Sequence, residues 1–400
     1  FITPDFKYAL TLYPDYSDIE AVYESIDISY TERWLPDKRP FFTEGSEYFG
    51  PLYSRRIDKF DLGLKAFGQA GKSQIGFLNC IRFDSFRNDT VLNYNYNFTH
   101  QYSMGVMLQS RYEKSHRNIL IAGGGGGGTS NFGYGVSYAI SLTEPGKDGF
   151  LYNLSMWQRV GERGGFFANY TALSPDFWAD LQLIDITGVK ATNIGFYYSG
   201  VSPRGKKWWE SYVWEMSYGR ANYWSGGCKA ENKGGSFSIG LRGDISLGIS
   251  RNISFFEPFR DHFTTISFGI GSPEKKYFFS SSYGKGIRTN SPYKFASGGI
   301  WRQLLKDKLN IGLNFEKRWV GVGSGWFSAQ QIWGSISYDI GKDFWIVIRL
   351  YQLQDTDKHH NISAVIRRKG ERKGDFYFVL GDPLGTDFKE RMAIKYIMPW

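Results

Sequence analysis

Polar and apolar residues alternate along much of the chain. Across residues 308–315, Leu309, Ile311, Leu313 and Phe315 fall on one side and Lys308, Asn310, Gly312 and Asn314 on the other. Residues 265–271 repeat the pattern, setting Ile266, Phe268 and Ile270 against Thr265, Ser267, Gly269 and Gly271. In residues 236–247, Phe237, Ile239, Leu241, Ile245 and Leu247 oppose Ser236, Ser238, Gly240, Arg242, Asp244 and Ser246. Side chains of an extended strand point alternately to opposite faces, so each run predicts a strand with one apolar and one polar face. Such runs recur roughly every 15–20 residues, room for a membrane-length strand of about 9–11 residues and a turn. Turn signals separate them, among them Gly71-Lys72, residues 145–149, Pro203-Arg204-Gly205, Gly341-Lys342-Asp343 and Lys373-Gly374-Asp375.

The pattern predicts an all-β chain, with residues 1–400 forming a single closed antiparallel transmembrane β-barrel of about 20 strands (18–24), since closed bacterial barrels use even numbers. Residues 15–50 break the rhythm and are expected to form a lumen plug or a cap. The run Gly123–Gly128 also breaks it and is expected to be a flexible loop, because a dinucleotide fingerprint needs a helix after it and residues 131–143 alternate like a strand.

Composition sharpens this picture. No stretch approaches 18 consecutive apolar residues, which excludes a membrane-spanning helix. A mean hydropathy of −0.38 agrees with barrel strands, which need only every second residue apolar. Aromatic residues make up 18% of the chain, and pairs such as Trp208-Trp209 and Tyr223-Trp224 suit interfacial girdles. The net charge of +9 comes from 48 Lys and Arg scattered among 39 Asp and Glu, without the basic footprint of a nucleic-acid binder. The chain opens FITPDFKYAL, without a basic-then-apolar leader, as expected of a mature or excised form. It ends RMAIKYIMPW, where Met392, Ile394, Tyr396, Met398 and Trp400 share a face. Tyr396, Met398 and Trp400 are the expected assembly signal of a closing strand, read by the barrel-assembly machinery.

Candidate chemistry is sparse. Residues 70–73 (AGKS) end like a phosphate-binding loop, but Ala66 stands where its first glycine belongs and a hairpin turn is expected there. His359 and His360 point to opposite faces of a strand rather than toward one metal. Cys80 and Cys228 make no metal site and leave a disulfide open. No cofactor, metal or catalytic residue is assigned.

Several ordered motifs carry a resemblance. Residues 13–21 (YPDYSDIEA) are similar to N-P-D-F-S-Q-V-E-A-D, residues 35–45 (LPDKRPFFTEG) to F-P-E-K-R-P-F-F-L-E-G, and residues 53–57 to Y-S-R-R-I. Residues 63–79 resemble G-x-K-x-x-G-K-A-G…G-x-L-N, and residues 176–181 resemble D-F-x-A-D-L. Together they resemble an uncharacterised family of Gram-negative outer-membrane β-barrel domains, usually found after a module resembling carbohydrate-binding family 9. That module is absent from this sequence, so sugar binding is not carried over. Some family members are labelled hydrolases, but no catalytic residue maps here. The resemblance implies a bacterial outer-membrane location, with lipid, the assembly machinery and other outer-membrane or periplasmic proteins as partners.

Within the first motifs, Arg39, Arg55 and Arg56 are expected to pair with Asp15, Asp18, Glu20 or Glu44 inside a polar lumen. The set would act as a salt-bridged lock or as a solute-selective constriction. Three functions fit: a channel, transport or partner-enclosing barrel, which is the preferred reading; a barrel-embedded hydrolase acting on glycan or lipid; and a structural surface anchor.

Overall fold

The alternating runs become strands. The structure, a computed structural model, describes residues 6–14, 34, 37, 39–184, 186–202, 207–272, 275–341, 344–354, 358–368, 375–381 and 392–397. β1 (Lys7–Leu12) is followed by one helical turn, α1 (Pro40–Thr43), and then by β2 (Leu62–Ala70), β3 (Ser73–Arg82), β4 (Arg87–Thr99), β5 (Tyr102–Glu113) and β6 (His116–Gly128). Next come β7 (Phe132–Glu144), β8 (Gly149–Val160), β9 (Gly164–Leu173), β10 (Val189–Val201), β11 (Trp209–Tyr223) and β12 (Cys228–Leu241). The series continues with β13 (Ile245–Phe256), β14 (Phe259–Ser272), β15 (Tyr277–Arg288), β16 (Ser291–Leu304) and β17 (Leu309–Val322). It ends with β18 (Gly325–Gly341), β19 (Phe344–Gln354), β20 (Lys358–Arg368), β21 (Asp375–Leu380) and β22 (Met392–Ile397). Among the described residues these 22 strands belong to one sheet, an even number within the expected range. Among the described residues no helix is long and apolar enough to cross a membrane.

The chain divides into two units, the first holding β1–β9 and the second β13–β22, with β10–β12 divided between them. In the first unit each strand pairs antiparallel with the next, and register places like residues side by side. One row across β2–β7 reads Ala66, Phe77, Leu92, Leu108, Ile121 and Ile140, all apolar. Leu92, Ile121 and Ile140 in it are exposed. One residue along, on the opposite face, the row reads Lys65, Leu78, Val91, Gln109, Leu120 and Ser141. Every member of this second row is at most 2% exposed. The core of the unit therefore lies on that face, beneath residues that leave the strand pattern.

The second unit repeats the meander. Ile270, Phe279, Ile300 and Leu313 form an apolar row, with Ile300 and Leu313 about half exposed at 52% and 47%. Gly269, Ser280, Gly299 and Asn314 form the neighbouring row on the other face. Leu309 and Leu313 do not pack against a second sheet among the described residues, as a sandwich would require.

Two expectations are corrected. Gly123–Gly128 is the end of β6, laddered to β5 on one side and β7 on the other. A Cβ at Gly124 would lie 2.8 Å from the Val136 carbonyl and one at Gly126 2.6 Å from that of Tyr134. The neighbouring backbones approach more closely than a side chain permits, and two ladders override glycine's intrinsic freedom. Residues 236–247 do not form one run: a turn at Arg242-Gly243-Asp244, with φ of 84° at Gly243 and 58° at Asp244, ends β12 and starts β13. Cys80 and Cys228 are both free.

Candidate functional site

Residues 39–61 of the β1–β2 connection lie across the buried face of the first unit. Pro40 opens α1, where its fixed φ suits the first helical position and its missing N–H costs nothing. Gly45 then turns the chain at φ 68°. This delivers Phe42, Phe49, Ile57 and Phe60 into a cluster with Phe67, Leu78, Cys80 and Val91 of the sheet. The rings meet edge-on, Phe42 against Phe60 at 5.7 Å and Phe49 against Phe67 at 6.2 Å. Full burial of each such side chain contributes about 1.5–3 kcal/mol.

Polar groups fix the position of this segment. Lys65, fully buried, donates from Nζ to the carbonyls of Phe41 (2.7 Å) and Glu44 (2.8 Å), and its ammonium lies over the rings of Phe41 and Phe67. Asn93 Nδ2 donates to the Tyr48 carbonyl at 2.8 Å, and a side chain at Gly76 would overlap that same carbonyl. Arg39 grips Asp37 with Nε (3.0 Å) and Nη2 (2.6 Å) and reaches the carbonyls of Ile57 (2.7 Å) and Ser54 (2.8 Å). Its guanidinium also stacks 4.2 Å from the Phe42 ring centroid. The planar fork of five donors makes this bracket possible, where a lysine has only a point charge. Burial alone would raise the Asp37 pKa, but hydrogen bonds from Arg39 and Ser54 and the Arg39 charge outweigh it and hold the carboxyl below its ordinary value.

A second fastening joins the sheet to residues 54–58. Asp89, 1% exposed, accepts from Arg111 Nε (2.7 Å) and Arg87 Nε (2.8 Å). Both arginines also donate to the Arg56 carbonyl, at 2.8 and 3.3 Å, and Arg87 Nη1 lies 2.6 Å from Asp58. Burial works to raise the Asp58 pKa, and the Lys59 N–H and Arg87 more than reverse it.

The connection between β9 and β10 covers the neighbouring part of the same face. Phe177, Ala179 and Leu181 are buried, and Leu181 joins the cluster beneath the first segment. Asn118 holds it at both ends of its amide, donating to the Trp178 carbonyl and accepting from the Asp180 N–H, each at 3.1 Å. His116 Nε2 lies 2.6 Å from Asp180 Oδ2, and the Tyr53 N–H donates to the Leu181 carbonyl at 2.8 Å. Next to both segments an open cavity of about 600 Å³ is lined by Glu47, Pro51, Asn95, Ser137, Asn153 and Gln182, among others.

No family model and no curated protein matches the chain. Among solved structures it is similar to the P pilus usher PapC translocation pore, at 12% identity over 73% of this chain and 64% of that one, with a TM-score of 0.37. It is also similar to the siderophore receptor PirA from Acinetobacter baumannii, at 9% identity over 79% and 66%, with a TM-score of 0.48. A third similarity is to the E. coli P pilus tip assembly intermediate PapC-PapD-PapK-PapG, at 12% identity over 83% and 46%, with a TM-score of 0.45. The chain spans less than two thirds of the length of each. All three TM-scores lie below 0.5, and the fold rests on the chain's own ladders and faces.

Of the residues singled out in the sequence, Arg39 is central, but its carboxylate is Asp37, two residues before it. Glu44 pairs at 3.1 Å with Lys7, both exposed, and contributes its carbonyl to Lys65. Arg56 contributes a carbonyl, and Arg55 is exposed without an ion pair among the described residues. Asp15, Asp18, Glu20, Met398 and Trp400 lie outside the described residues, while Tyr396 pairs with Phe376 in the β21–β22 ladder. Sequence reasoning missed Lys65, Arg87, Asp89 and Arg111. Their signal was charged residues on the otherwise mixed face of alternating strands.

Proposed function

We propose that the chain is a bacterial outer-membrane barrel of channel or transport type, with β1 and β22 closing the sheet and its bore restricted by its own β1–β2 segment. The observation that carries the reading is the two-faced sheet. One face presents exposed aliphatic and aromatic rows, with Arg251, Lys285, Lys294 and Lys317 further along the strands on that face, and the other presents Gly, Ser, Asn and ion pairs. The motif resemblance over residues 10–80 supports membership in the outer-membrane barrel family named above. The intact protein should insert into planar bilayers with small conductance and show heat-modifiable mobility. A protein that stays soluble without detergent and does not partition into vesicles would overturn the reading.

A further inference from the structure

We propose that residues 54–58 form a releasable strap, latched by the Arg87–Asp89–Arg111 cluster, and that unlatching opens the face beneath. The inference rests on reading that face as the wall of a bore. Attachment of the β1–β2 segment is uneven along its length. From Phe41 to Phe49 it is held by buried rings and by Lys65, whereas at 54–58 only Ile57 enters the core and the remaining contacts are polar.

The wall reaches the strap through two guanidiniums on adjacent strands, converging on one carbonyl, that of Arg56. Asp89 touches neither the strap nor its carbonyl. It holds both arginines from behind and is a positioning residue. The cluster is not a site for an external anion: Arg82, Arg87 and Arg111 meet Asp58, Asp89 and Glu113, leaving no surplus cation. Charge balanced across wall and strap is the arrangement of a fastening.

Cys80 supplies a reporter. It is the cross-strand partner of Asp89, 1% exposed, and packs in the cluster with Ile57 and Phe60. The test is the rate at which a small water-soluble maleimide modifies Cys80 in the full chain carrying Cys228→Ser, reconstituted in vesicles. Asp89→Asn should raise that rate at least tenfold, while Asp84→Asn, which alters an exposed pair with Arg82, leaves it unchanged. A second reporter, Ala179→Cys with Cys80→Ser, is a buried position of the β9–β10 connection and should stay protected in Asp89→Asn. An unchanged Cys80 rate, or equal rises at both reporters, overturns the strap. If Asp89→Asn does not assemble, Asp58→Asn removes the exposed half of the latch and should raise the Cys80 rate severalfold, and no rise there overturns the proposal. Raised labelling without raised conductance would leave the latch standing and defeat the bore reading.

Discussion

At the scale of single residues, the segment depends on a few side chains that cannot be exchanged for near relatives. Arg39 satisfies a carboxylate and two carbonyls from one plane, so Arg39→Lys should lose most of the bracket. Arg39→Ala leaves the half-buried Asp37 without its counter-ion, holding only the residue-39 N–H and the Ser54 hydroxyl, and should cost about 3–5 kcal/mol in thermal unfolding of the solubilised protein. A loss under 1 kcal/mol would show the bracket to be incidental. Asp37 and Asp58 add a pH dependence. Each is held below its ordinary value, about 3.9 for an aspartate, so each contributes stability present above that value and lost as pH falls through the lowered one. Cys80 protection should therefore hold from neutrality to about pH 4 and fail in more acid solution. Protection lost already between about pH 7 and 5 would point to a histidine instead.

At the scale of elements, glycines decide how closely backbones approach. A Cβ at Gly123 meets nothing nearer than 3.8 Å, whereas one at Gly126 meets a carbonyl at 2.6 Å. Gly123→Ala should assemble normally, and Gly126→Ala should reduce the heat-modifiable folded fraction. Equal behaviour of the two would contradict the tight β6–β7 ladder. The same strand shows why the sequence misled. A six-glycine run carries no alternation and low strand propensity, and only the registers of β5 and β7 make it a strand. The bracket was hidden for a related reason. The sequence showed arginines beside a proline-aromatic motif, but which carboxylate each meets depends on the turns at Pro40 and Gly45. Alternation at residues 308–315, by contrast, was legible because a strand's period of two is set by backbone geometry alone.

At the scale of the whole molecule, the proposed barrel gives every strand a lipid side and a bore side. The sheet and its antiparallel meander followed from alternation and turns. The fastenings between the sheet and the β1–β2 segment did not, because Lys65 and Phe41, Asn93 and Tyr48, and Arg111 and Arg56 are far apart in sequence. The most direct test is a cysteine scan along β17 in the Cys80→Ser, Cys228→Ser background, reconstituted in vesicles containing brominated lipid. Cysteines at Asn310, Gly312 and Asn314 should react with a water-soluble maleimide. Those at Ile311, Leu313 and Phe315 should resist it, and an environment-sensitive fluorophore placed there should be quenched by the lipid. A period of two in both signals, opposite in phase, is the predicted result. Uniform labelling of all six positions, or quenching without alternation, would contradict a membrane-spanning sheet.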